Sequence, residues 1–166
     1  MKFLHHFIDK FILSLLGRSF VVLKNKDSRV KKELLYLPAK FNMAIAVEKN
    51  GPFIVLKKEE SELKYCGYHS SPQNIDLKIY FKDEEFGYQV LAAKEGIRRA
   101  FSEHKLIVEG DIEYAVSLIY ILELVEAYIM SDDFAERILA YNFSREISRL
   151  QLILKAIFLF KEKGEI

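Results

Sequence analysis

The chain of 166 residues has no tryptophan, one cysteine, three prolines and seven glycines, and each scarcity excludes something. Cys66 stands alone, so no intramolecular disulfide forms, and with no CxxC or Cys/His cluster there is no zinc-site spacing. That usage suits a reducing cytoplasm. The glycines fall singly at 17, 51, 67, 87, 96, 110 and 164, which leaves no glycine-rich loop to cradle a phosphate, and no cofactor is expected. Long apolar runs are also missing. The longest without a charge, residues 114–122, is about half of the ~18 to 20 residues that span a bilayer. At the N-terminus Asp9 and Lys10 split the apolar stretch and no small-residue cleavage site follows, so a secreted protein is not expected. Excess charge of either sign is absent too: 25 basic against 24 acidic residues leave +1, which argues against a nucleic-acid footprint.

What the chain does have is 51% hydrophobic residues, with 13 Phe and nine Tyr, enough for one well-filled domain or an apolar cavity. Residues 3–16 place apolar side chains three and four apart and Gly17 follows as a stop, which predicts an amphipathic N-terminal helix. Lys24, Lys26, Arg29, Lys31 and Lys32 then crowd into nine positions. This reads as a solvated connection, with contact to anionic lipid headgroups or phosphates as the alternative. From Phe41 the period becomes two, and Asn50-Gly51 supplies a two-residue hairpin turn that would set Val47 opposite Ile54 and Ile45 opposite Leu56. Further strands are predicted at 63–68, 75–81 and 106–109. Short helices follow Asp83 and Gly96, and Asp111 caps a helix that is apolar nearly all round and must be covered on most sides. Two more helices are predicted, headed by Ser131 and Ser144. The fold class is α+β: an antiparallel sheet of about five strands covered by helices, with an N-terminal amphipathic helix and extra C-terminal helices.

Catalytic groupings are not found. Ser70 and Ser71 beside His69 lack a nucleophile-elbow spacing. His5 and His6 point to different sides of a helix and do not chelate together, His104 ends a helix, and Cys66 on a strand reads as a small buried hydrophobe. An enzyme is not expected, and a small hydrolase ranks last among the readings.

Two segments carry a resemblance. Residues 75–86 run a strand through Lys82 into Asp83-Glu84-Glu85 and a helix. Residues 100–115 set an Ala100-Phe101 pair, a short basic-apolar strand and Gly110-Asp111 at the head of a helix. Together they resemble the sterol carrier protein type 2 family over roughly residues 33–130, and residues 131–166 add two helices that the compact family domain does not require. The family usually has glycine just before the short strand, where this chain has His104, so the turn there must be made differently. Length and composition predict a single domain, 1–166, and the resemblance implies a lipid-binding core at 33–130 and a helical extension at 131–166. It implies a non-enzymatic protein that binds or transfers a fatty acyl or prenyl chain, or a sterol, in a tunnel between sheet and helices. On sheet parity and helix spacing the residues facing that space are Met43, Ile45, Phe86, Val90, Phe101, Ile112, Ala115, Val116 and Ile119. The same residues serve equally as the filling of a dry core. The alternative function is a helical interaction or scaffold module in membrane-lipid or quinone biosynthesis.

In the last helix Ile147, Leu150, Leu154, Ile157 and Phe158 form one apolar stripe, and Leu152, Ile153, Ala156, Leu159 and Phe160 a second. One can face the domain; the other needs a partner. A homo-oligomer through this helix is expected, with peripheral membrane contact aided by Lys155, Lys161 and Lys163 as the competing outcome.

Overall fold

The computed structural model describes residues 2–139 and 143–161, with side chains over 10–139 and 143–159. Five strands, β1 (Lys40–Ala46), β2 (Phe53–Glu59), β3 (Glu62–His69), β4 (Leu77–Phe81) and β5 (Leu106–Glu109), form one sheet in the order β3-β2-β1-β4-β5. The fold is α+β, as the alternation of periods predicts. The sheet is mixed, however: β1 and β4 run parallel while the other three pairs are antiparallel. The connection after β3 carries the chain back to the end where β1 starts. There Asp76 clamps it, accepting from Asn42 N–H at 2.7 Å and donating its own N–H to Asn42 O at 2.9 Å.

The β1–β2 register is shifted by two from the expected one, pairing Ile45 with Ile54 and Met43 with Leu56. Pro52 has no N–H to extend the ladder, so the turn closes instead through Gly51 N–H to Glu48 O at 3.0 Å. A shift of two preserves the faces, and Met43, Ile45, Ile54 and Leu56 still point into one core. Ala44, Ala46, Phe53, Val55 and Tyr80 cover the opposite face of the sheet with their own side chains.

Seven helices are described. The first, α1 (Lys2–Lys24), does not stop at Gly17. A Cβ at that position would lie 2.9 Å from the Tyr65 ring, so this glycine lets the helix press against β3 rather than end. The basic segment is not a loop either. It forms α2 (Ser28–Glu33), capped by a buried Asp27 that accepts from Arg29 N–H and Val30 N–H, and a 3₁₀ turn at Leu34–Tyr36 follows. Next come α3 (Glu84–Leu91), α4 (Ile97–Ser102) and α5 (Ile112–Ile129), with Asp83 and Asp111 capping α3 and α5 as predicted. His104 takes a φ of 58°, the left-handed conformation that glycine favours, so the turn before β5 bends through a histidine instead. Ser131 caps α6 (Asp132–Ile138).

The last helix, α7 (Arg149–Lys161), begins later than expected. Ser148 and Gln151 form its capping box, with bonds of 3.2 and 3.3 Å, while residues 143–146 lie outside any helix and are held by contacts to α2 and α5. Ser144 O accepts from Arg29 and Glu146 N–H donates to the Tyr128 hydroxyl. Leu152 and Ala156 of α7 are buried and the helix packs on α1 and α5. No helix among the described residues is long and apolar enough to cross a membrane.

Candidate functional site

The Gly110-Asp111 step fixes where α5 starts. Gly110 has a φ of 133° and passes so close to β4 that a Cβ would lie 2.5 Å from Asp76 O, and Asp111 then accepts Glu113 N–H at 2.8 Å. From this start α5 buries residues 121–128, but its first turns leave one side uncovered: Ile112 is 55% and Val116 54% exposed. Four residues further on, half-buried Tyr120 continues this side, and beside it Ile119 is buried.

Two neighbouring elements wall this strip into a groove of about 600 Å³. Across from α5, α4 contributes Arg98 and Phe101, and α2 with its 3₁₀ turn contributes Arg29, Lys32, Glu33 and Tyr36. Phe101, Val116, Ile119 and Tyr120 make an apolar floor. Arg29, Lys32 and Arg98 set three positive charges around it against one carboxylate, Glu33. The volume lies in the range that holds a small organic ligand or a lipid tail.

Of the nine residues placed by parity and spacing, the groove brings Phe101, Val116 and Ile119 together. Met43, Ile45, Val90 and Ala115 are closely packed in the main core, Phe86 is half-buried at its margin under Lys105, and Ile112 lies exposed at the head of α5. Tyr36, Tyr120 and Arg98 are groove residues that the pattern did not single out. Tyr36 sits in a 3₁₀ turn, which has neither helical nor strand periodicity. The signal for Arg29 and Lys32 was the density of positive charge between 24 and 32.

Behind Arg98 lies a second, polar cavity of about 490 Å³, bordered by Glu123 of α5, Lys94, Arg99 and Arg137. Arg98 lines both spaces. Its Nη2 lies 2.5 Å from Glu123 Oε2, and its guanidinium carbon sits 5.5 Å from the centre of the Tyr120 ring. Burial pushes the Glu123 carboxyl up to about 7, against the opposing pull of Arg98. One turn on, Glu126 is fully buried and accepts Ile97 N–H at 3.0 Å, so it caps α4, whose N-cap residue Gly96 has no side chain to offer. Burial raises the Glu126 carboxyl well above the usual range; the Ile97 bond opposes this and the Glu123 charge adds to it.

No protein-family model matches the sequence, and no curated protein does. Solved structures do. A UbiJ-SCP2 ubiquinone synthesis protein aligns at 13% identity over 75% of this chain and 97% of its own, with a TM-score of 0.41. Sterol carrier protein 2 from Yarrowia lipolytica, in its apo form, aligns at 18% over 65% of this chain and 84% of its own, with a TM-score of 0.38. Palmitated SCP2L2 from Aedes aegypti aligns at 14% over 62% and 91%, with a TM-score of 0.34. Each of the three carries SCP2 or sterol carrier protein 2 in its name.

Proposed function

We propose that the chain is a non-enzymatic cytoplasmic protein that binds or transfers a lipid, and that the tail lies in the groove along the uncovered side of α5. The observation that carries this reading is the apolar floor of exposed Val116, half-buried Phe101 and Tyr120, and buried Ile119 at its base, lying beneath a cationic rim. Each methylene moved from water onto such a floor contributes ~0.8 kcal/mol, so an acyl or prenyl chain binds without chemistry from the protein. The resemblance in residues 75–86 and 100–115 points the same way.

Replacing Val116 tests it. Since the side chain is exposed, V116E leaves the fold intact, which circular dichroism checks, and a charge on the floor weakens the binding of Nile red, and its displacement by decan-1-ol, at least tenfold. Unchanged binding in a folded V116E, or no binding by the wild-type protein, overturns the reading.

A second reading is a helical interaction module. It is favoured by α7, where Leu150, Leu154, Ile157 and Phe158 stay exposed while Leu152 and Ala156 face the domain. In this reading the stripe pairs with a second copy. Sedimentation equilibrium at tens of micromolar then gives a dimer, and L154E with F158E gives a monomer; a monomeric wild-type chain rules it out.

A further inference from the structure

Three cations rim the groove, and they are not equivalent. Arg29 is tied by its Nε and Nη2 to Asp27, donates to Ser144 O at 3.0 Å and lies over the Phe143 ring. Its geometry is fixed by the fold. Lys32 is exposed and adds field more than a directed contact. Arg98 differs from both. Its side chain is 46% exposed, it borders the groove on one side and the polar cavity on the other, and it joins Glu123 through one Nη2. Glu123 in turn is 1% exposed, and among the described residues its Oε2 accepts no hydrogen bond of ordinary angle.

Resting on the groove as the lipid site, we propose that Arg98 is its headgroup cation, shared between the ligand and Glu123, so that the groove takes amphiphiles with an anionic head and takes each with a proton on Glu123. A guanidinium drawn toward a head in the groove leaves Glu123 buried without its counter-charge. A buried carboxylate in that position is neutralised by protonation. No covalent bond changes: one proton passes from solvent to the Glu123 carboxylate as the anion enters.

The other charges around Glu123 do not replace Arg98. Arg99 pairs with Glu103 at 2.7 Å, Lys94 lies over the Tyr88 ring, and Arg137 donates to Ala93 O. Glu95 pairs with Lys105, and Glu126, whose carboxyl burial raises well above the usual range, caps α4. Glu123 sits near its half-protonated point at neutral pH, and removing the one influence that lowers its pKa drives it further up.

The test uses the full chain with decyl sulfate, whose head is anionic at every pH, beside neutral decan-1-ol. Calorimetry in buffers of different ionisation enthalpy counts protons. For the wild-type protein we expect about half a proton taken up per decyl sulfate at pH 7, and binding about tenfold weaker at pH 8 than at pH 6. Decan-1-ol binds with neither effect. R98M loses the preference for decyl sulfate over decan-1-ol, and E123Q keeps tight binding but loses the pH dependence. Should decan-1-ol bind while decyl sulfate shows no proton uptake or no dependence on Arg98, this inference falls and the groove stands. Binding of neither probe removes the groove itself, and the proton count on wild-type protein decides even where a variant does not fold.

Discussion

Glu126 places a carboxyl group where the backbone at Gly96 leaves an N–H without a cap, and the exchange is worth measuring. E126A leaves Ile97 N–H buried and unsatisfied and should lower unfolding free energy by ~1 to 3 kcal/mol, while E126Q, which keeps the acceptor, should cost less. Urea denaturation separates the two. Glu123 sets a pH dependence. Its folded pKa is about 7 against 4.5 for the unfolded chain, so between these values the folded state holds more protons and stability falls as pH rises, by at most ~1.4 kcal/mol per pH unit, levelling above pH 7. E123Q should flatten that slope. Asp27 works the other way. Burial raises its pKa, but hydrogen bonds from Arg29, Tyr128 and Val30 outweigh this and lower it, so its stabilisation is present above the unfolded value and lost as acid titrates it. Tyr128 donates to Asp27 at 2.6 Å and accepts Glu146 N–H at 2.8 Å. Y128F keeps the edge-on packing against Phe143 and loses both bonds together with a longer one from Arg29 at 3.4 Å, for an expected ~1 to 3 kcal/mol in the same assay. The two glutamates were legible in principle: they fall beyond the exposed first turns of α5, in the stretch 121–128 that is covered on every side. Their partners were not, because Arg98 and Ile97 reach them across a fold that sequence spacing does not encode.

Among the elements, strands and caps were the most legible. Alternation from Phe41 and from Ile75, and the aspartates at 83 and 111, depend on neighbours in the chain and reappear as β1, β4 and the heads of α3 and α5. What failed were features decided by distant atoms. Gly17 reads as a stop locally, yet the Tyr65 ring 2.9 Å from its absent Cβ makes it a packing site. G17A should therefore destabilise by ~1 to 3 kcal/mol despite alanine's higher helix propensity, and a rise in thermal midpoint would contradict this account. The parallel β1–β4 pairing likewise turns on which end of the sheet the chain re-enters. The groove was legible in three of nine residues, Phe101, Val116 and Ile119, because helical spacing says which side chains share a face but not whether another element covers it.

On the scale of the whole molecule, α1 and α7 pack against each other although about 125 residues separate Lys24 from Arg149. Removing residues 143–166 takes α7, with its buried Leu152 and Ala156, away from α1 and α5 and breaks the Arg145 bond to Ala127 O at 2.7 Å, so hydrogen exchange in α1 should speed up more than in β1 or β2. Equal acceleration throughout would mean that the helices and sheet open as one unit. The pairing also has a consequence during synthesis. At 5 to 20 residues per second, α1 exists for roughly ten seconds before α7 has been made. Throughout that interval the part of its face that α7 covers in the finished fold stays without that cover, longer than any face closed by a neighbour in the chain.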